Sequence, residues 1–149
     1  MVAVTGAPGT DALLRRAARM ATRLKGDLDV VHVTATDGAN ITDKAVIEKL
    51  TKLTDVGGRW HDLKDDDAAR AIAEFARANQ ITQIVIGSSQ RSRWQQLTGG
   101  GSNVARVIRE AGPLGIDVHV IALHKPAKTA VTKARAAAKN DTPDRLNCP

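Results

Sequence analysis

The chain has one cysteine, Cys148, no tyrosine, and three aromatic side chains among 149 residues: Trp60, Trp94 and Phe75. A lone cysteine near one end excludes a disulfide framework and fits a reducing compartment. With so few rings, a core has to be built from Val, Ile, Leu and Ala. No stretch approaches the ~18 consecutive apolar residues of a membrane span. Met1–Asp11 has neither a charged n-region nor a long apolar h-region, so the expectation is a soluble, unexported segment. Five prolines, 12 glycines, 42% hydrophobic and 26% charged residues exclude wholesale disorder, collagen and coiled coil. The length suits one domain, able to bury roughly two thirds of its unfolded surface without a staple. The net charge of +6 is unevenly spread. From Lys125 onward stand six basic and two acidic residues; the remaining 124 carry 16 basic and 14 acidic ones. A nearly balanced body speaks against a nucleic-acid-binding fold, leaving only the tail's charge in its favour.

What is present is a repeated alternation of two periodicities. Val2–Thr5 is a short apolar run, followed by the turn-rich Gly6-Ala7-Pro8-Gly9-Thr10. Asp11–Lys25 predicts a helix through Leu13, Ala17, Met20, Ala21 and Leu24, with Gly26 as its stop. Leu28–Thr34 predicts a strand. Thr42–Asp55 predicts a helix through Val46, Leu50 and Leu53, ended by Gly57-Gly58. Arg59–Leu63 suits a short strand, and Asp65-Asp66-Asp67 supplies the N-cap and first-turn charge of a third helix. Ile72, Phe75 and Ala76 form that helix's buried face, and Asn79 closes it. Thr82–Ile86 predicts a buried strand, Gly87–Ser102 a polar, glycine-rich loop, and Val104–Ala111 a helix stopped by Gly112-Pro113. Asp117–Leu123 predicts the last strand. Strands alternating with helices point to a parallel, doubly wound α/β sheet of order 3-2-1-4-5. The Ala/Lys/Thr-rich segment after Leu123 predicts a flexible linker.

In such a sheet, ligands bind beyond the carboxyl ends of the strands, where the strand order reverses. Here that is between the first and fourth strands, whose loops, Thr5–Thr10 and Gly87–Ser102, are the richest in glycine and hydroxyls. Thr98-Gly99-Gly100-Gly101-Ser102-Asn103 runs straight into a helix, so its amides and the helix N-terminus suit a phosphate. The plain alternative is a glycine linker with Ser102 as an ordinary N-cap. In Arg91-Ser92-Arg93-Trp94, two guanidiniums could clamp phosphates and Trp94 could stack on a base or enter a protein interface. Gly6–Thr10 opens like a phosphate-binding P-loop, but Asp11 stands where its lysine belongs. His32, His61, His119 and His124 lack metal-ligand spacing, and Ser88, Ser89 and Ser92 lack an evident base. Nothing in the pattern argues for catalysis.

Several segments are similar to those of a known family. Gly6-Ala7-Pro8-Gly9-Thr10 with Leu13–Arg19 resembles the start of the universal stress protein-like cytoplasmic domain of Kdp potassium-sensor histidine kinases. Ile84–Ser89 with Ser92-Arg93-Trp94, and Val104–Arg109 with Ile116–Ile121, resemble it further, over residues 1–124 in all. The resemblance implies a Rossmann-like, adenine nucleotide alpha hydrolase-like three-layer sandwich over 1–124, followed by a basic tail over 125–149. It also implies a non-catalytic regulatory module of a two-component kinase that controls potassium uptake, cytoplasmic in a membrane-anchored parent. Stress proteins that bind ATP share Gly-x-x-Gly-x9-Gly-Ser/Thr. Gly87 and Gly101-Ser102 match its ends, but Gln90 replaces the second glycine and the final spacing is one residue longer. Some potassium sensors bind cyclic di-AMP through motifs that here read Thr5-Gly6-Ala7 and Leu28–His32, both substituted.

The resulting candidate nucleotide site comprises Thr5, Gly6, Gly9, Thr10, Gly87, Ser88, Ser89, Arg91, Arg93, Gly100, Gly101, Ser102 and Asn103, with Trp94 for stacking or interface. The expected regulatory ligand is ATP or cyclic di-AMP, with no tightly bound cofactor or metal. The expected partners are other domains of the parent kinase and a second copy, with no nucleic acid, and the membrane only through the parent. Two other readings stand beside this one: a ligand-free interaction module, and a free-standing ATP-binding stress protein.

Overall fold

A computed structural model describes residues 1–5, 9–37, 44–54, 57–88 and 103–123. The chain runs β1 (Val2–Val4), α1 (Thr10–Leu24), β2 (Leu28–Thr34), α2 (Lys44–Thr54), β3 (Gly58–Lys64), α3 (Ala68–Ala78), β4 (Gln83–Ser88), α4 (Asn103–Ala111) and β5 (Asp117–Ala122). A 3₁₀ turn, Gly112–Leu114, follows α4. The five strands form one sheet of order β3-β2-β1-β4-β5. All pairings are parallel, with Val2 opposite both Val30 and Val85. This is the expected architecture and strand order.

The sheet is covered on both faces, which is why neighbouring residues of one strand are both apolar. Val30 and Val31 are each fully buried. Val30 packs with Val2, Val4 and Val85 against Leu13, Leu14 and Ala17 of α1. Val31 faces the other layer, with Ile84 and Ile86 under Ala69, Ile72 and Ala76 of α3 and Val107 and Ala111 of α4. Fully burying one such aliphatic side chain contributes roughly 1.5–3 kcal/mol, so the two seams supply the dominant stabilisation.

The helix ends differ in detail from the expectations. α1 begins at Thr10, with Gly9 as N-cap at φ 94°, a conformation open to glycine at little cost. Its stop is Lys25 rather than Gly26. Lys25 adopts φ 53°, and the amides of Gly26 and Lys25 donate to the carbonyls of Ala21 (2.9 Å) and Thr22 (3.2 Å). This is a Schellman closure with lysine at the left-handed position. α3 closes at Asn79 as expected, and the left-handed Gln80 that follows it, φ 53°, lets Ile81 donate to Ala76. Ile81 packs on the core and so holds the reversal in place. α2 is described over Lys44–Thr54, within the expected Thr42–Asp55, and β3 starts at Gly58. β4 starts at Gln83, one residue after the expected Thr82, and continues through Gly87 and Ser88 instead of ending at Ile86.

Candidate functional site

At the carboxyl edge of the sheet, β1 and β4 are neighbours, yet the chain leaves them for opposite faces, to α1 and to α4. A cleft of about 120 Å³ opens there. Its walls are Ala3, Val31, Val33 and Ile86 from the strands and Ala68, Ile72, Val104 and Val107 from α3 and α4. Thr5, Gly87, Asn103 and Leu123 stand at it too, and Thr5 and Asn103 are the only polar side chains among its described lining. An apolar slot with a sparse polar rim suits a flat, largely apolar group. Among those residues it offers no carboxylate, imidazole, amine or thiol.

Three of the expected site residues therefore meet: Thr5, Gly87 and Asn103. Three others do not line the cleft. Gly9 caps α1. Thr10 is buried, and its hydroxyl donates to the Thr5 carbonyl oxygen at 2.7 Å, bracing the β1–α1 connection. Ser88 ends β4 and accepts the Leu123 amide through its carbonyl oxygen at 2.9 Å. Gly87 has a packing reason of its own: a Cβ there would lie 2.6 Å from Leu123 Cδ1. Gly6, Ser89, Arg91, Arg93, Trp94, Gly100, Gly101, Ser102 and the segment 125–149 lie outside the described residues.

The N-termini of α3 and α4 are tied beside the cleft. Asp67 accepts the Arg70 amide at 3.2 Å as the N-cap of α3, and Arg106 of α4 donates to its other carboxylate oxygen. Asp65 accepts the Asp67 amide, and Arg70 Nη2 donates across both its oxygens, while Asp66 accepts both the amide and hydroxyl of Thr36. These bonds hold all three carboxyls below the ordinary aspartate range. The leading causes are the Asp67 amide for Asp65, the Thr36 hydroxyl for Asp66 and the Arg70 amide for Asp67. The triplet is thus a helix start, as its sequence suggested.

One polar cluster escaped the sequence reading. Asp29, 4% exposed, accepts from Arg59 Nε at 2.9 Å and Nη2 at 3.2 Å and pairs with His61 Nε2 at 2.8 Å. The Arg59 hydrogen bond is the main reason its carboxyl is held below the usual range. Asp29 lies opposite Arg59 in the β2–β3 register, and His61 follows on the same face. A companion pair, His32 Nδ1 with Asp62 Oδ1 at 3.0 Å, sits on the other face beside Trp60. Both clusters lie toward β3 and away from the cleft. Among the described residues no group of three His, Cys, Asp or Glu side chains is placed to hold a metal ion. Nor is any described helix long and apolar enough to cross a membrane.

Residues 1–121 match the model of the universal stress protein family. The chain belongs to the universal stress protein family. Within it, the chain is 40% identical over 122 residues to the "Sensor protein KdpD" of Mycobacterium tuberculosis, covering 81% of this chain and 14% of that protein. A "Putative sensor protein KdpD" of Synechocystis is 35% identical over 124 residues, 82% and 33% of the two chains. The KdpD of Escherichia coli is 24% identical over 129 residues, 85% and 14%. The likeness to the mycobacterial and enteric sensors is thus to one domain-sized region of much longer proteins. In three dimensions the domain is similar to a "universal stress protein in complex with cAMP". The TM-score is 0.64 at 16% identity, over 83% of this chain and 97% of that one. At that identity the likeness speaks for the fold.

Proposed function

We propose that this domain is a non-catalytic sensory module of a KdpD-type sensor histidine kinase, and that its cleft receives the base of an adenine nucleotide, ATP or cyclic di-AMP. The observation that carries the reading is the apolar slot at the reversal of strand order, rimmed by Thr5, Gly87 and Asn103. It is supported by the similar fold solved with cAMP. A slot of about 120 Å³ takes a base and leaves sugar and phosphates outside it. They would then reach toward the Gly6–Thr10 and Gly100–Asn103 loops, with Arg91 and Arg93 within the same connection. The parent protein would hold this domain on the cytoplasmic side of a membrane and pass its ligand state to a kinase core, in control of potassium uptake.

A ligand-free interaction module is the second reading. The slot's size favours it, being well below the ~300 Å³ at which small-molecule pockets usually begin. So does β5, an edge strand of the described sheet whose Asp117-Val118-His119-Val120-Ile121-Ala122 carries no lysine or proline to discourage pairing with a second copy. Calorimetry of the 149-residue chain with ATP, cAMP and cyclic di-AMP separates the two. A saturable heat with one of them, abolished by Ala3→Leu in the slot, is expected. No heat with any of the three would leave the interaction module standing.

A further inference from the structure

α1 carries four arginines and precedes a lysine: Arg15, Arg16, Arg19, Arg23 and Lys25, all exposed. With Asp11 and Asp27 included, residues 10–27 hold a net charge of +3, whereas residues 1–124 together hold only +2. The whole positive excess of the body is therefore on this one segment. Three of the five described arginines outside α1 are paired within the domain: Arg59 with Asp29, Arg70 with Asp65 and Arg106 with Asp67. On α1 the sole ion pair among the described residues is Arg15 with Asp11, a solvent-exposed i,i+4 contact worth little. Arg16, Arg19 and Arg23 form one stripe at helical spacing, and the other outward positions are the small Ala12, Ala18 and Thr22. Leu24, 60% exposed, continues the inner face of Leu13, Ala17 and Met20 past the end of the core and is not part of the stripe.

We propose that this face of α1 docks on an anionic phospholipid surface. Four to eight cations clustered on a helix are the pattern such surfaces attract. The small residues between the arginines let the guanidiniums lie against a plane. A single-stranded nucleic acid would ask for aromatic side chains among the cations, and the stripe has none. Charge asymmetry orients the domain, because the rest of the body is slightly negative. The apolar seam of α1 stays in the core, so the attachment is electrostatic and reversible. The candidate nucleotide cleft is lined by α3 and α4 and by the inward-facing Leu13 of α1, whereas the arginines stand on the exposed side of that helix.

The test is co-sedimentation of the 149-residue chain with vesicles of 70% phosphatidylcholine and 30% phosphatidylglycerol, and with pure phosphatidylcholine, at 0.1 M salt. Binding to the anionic vesicles alone is expected, falling steeply at 0.5 M salt. Arg16→Gln, Arg19→Gln and Arg23→Gln together should lower the partition coefficient about 10²-fold, at about fivefold per cation. An unchanged melting temperature verifies that the variant is folded. A parallel variant with Lys125, Lys128, Lys133 and Arg135 changed to Gln should keep more than half of the vesicle binding. Loss of binding in that variant, with the α1 variant unaffected, would assign the effect to the tail and overturn the proposal. So would retention of poly-L-glutamate or duplex DNA, dependent on the α1 arginines, by a chain that ignores anionic vesicles.

Discussion

Gly87 links the packing of the fold to the candidate site, and its replacement is the most informative perturbation. A Cβ at this position would stand 2.6 Å from Leu123 Cδ1, 2.9 Å from Cγ and 3.3 Å from Cδ2. The carbon–carbon optimum is roughly 3.5–4.0 Å, so the entire Leu123 side chain must retreat by about 1 Å. Overpacking of this kind costs typically ~1–3 kcal/mol, and a half-buried leucine at the end of a strand can yield more than a core one. We therefore expect Gly87→Ala to destabilise by about 1–2 kcal/mol. Leu123→Ala by itself should cost a similar ~1–2 kcal/mol, less than the 2–5 of a fully buried leucine. In the double variant the obstacle is gone, and Gly87→Ala should then cost almost nothing. The predicted coupling is thus about 1–2 kcal/mol in favour of the double variant. Urea unfolding of the four proteins reads it directly, provided the denaturant slopes agree. Additivity within ~0.5 kcal/mol would refute the contact as the reason for glycine at this position.

Three further outcomes follow from the same structure. Asp29→Asn should destabilise by about 1–2 kcal/mol at pH 7, discounted for the exposed Arg59 partner. Because the folded carboxyl is held below its ordinary value, that stability is present above about pH 4 and lost as pH falls further. The gap between the wild type and the variant in acid titrations should therefore close from about pH 4 downward, and a constant gap would contradict it. Lys25→Gly and Gln80→Gly, at the two left-handed helix ends, should each raise stability by about 0.5–1 kcal/mol in thermal unfolding, and destabilisation would disprove the Schellman assignment. Ile84→Ala, at a fully buried position between β1 and β5, should cost about 2–5 kcal/mol, and less than 1 would mean the seam repacks freely.

The strand order and layers were legible because they rest on strong signals. Val30-Val31 and Ile84-Val85-Ile86 are apolar on both faces, and α1, α3 and α4 show helical periodicity against them. β3 was weaker, since as an edge strand with Arg59, Asp62 and Lys64 it alternates in exposure. Asn79 closes α3 as its sequence suggested, but the stop of α1 falls one residue early, at Lys25, where a left-handed turn is adopted that intrinsic preference would give to Gly26. The crevice was legible from topology alone, which places Thr5, Gly87 and Asn103 together. The inward turn of Thr10 was not, as a threonine in a loop looks alike whether it faces a ligand or a carbonyl. The Asp29–Arg59–His61 cluster was invisible for another reason: it depends on the register between β2 and β3, and no one-strand pattern states a register.

The central claim is that the cleft between β1 and β4 takes the base. Methyl NMR of the 149-residue chain, titrated with ATP, cAMP and cyclic di-AMP, tests it most directly. Saturable shifts confined to the methyls of Ala3, Val33, Ile72, Ile86 and Val104 are expected, with Leu28 and Leu50 on the far side unmoved. Saturable shifts at Leu28 and Leu50 with the cleft methyls still, or no shifts with any of the three ligands, would contradict it.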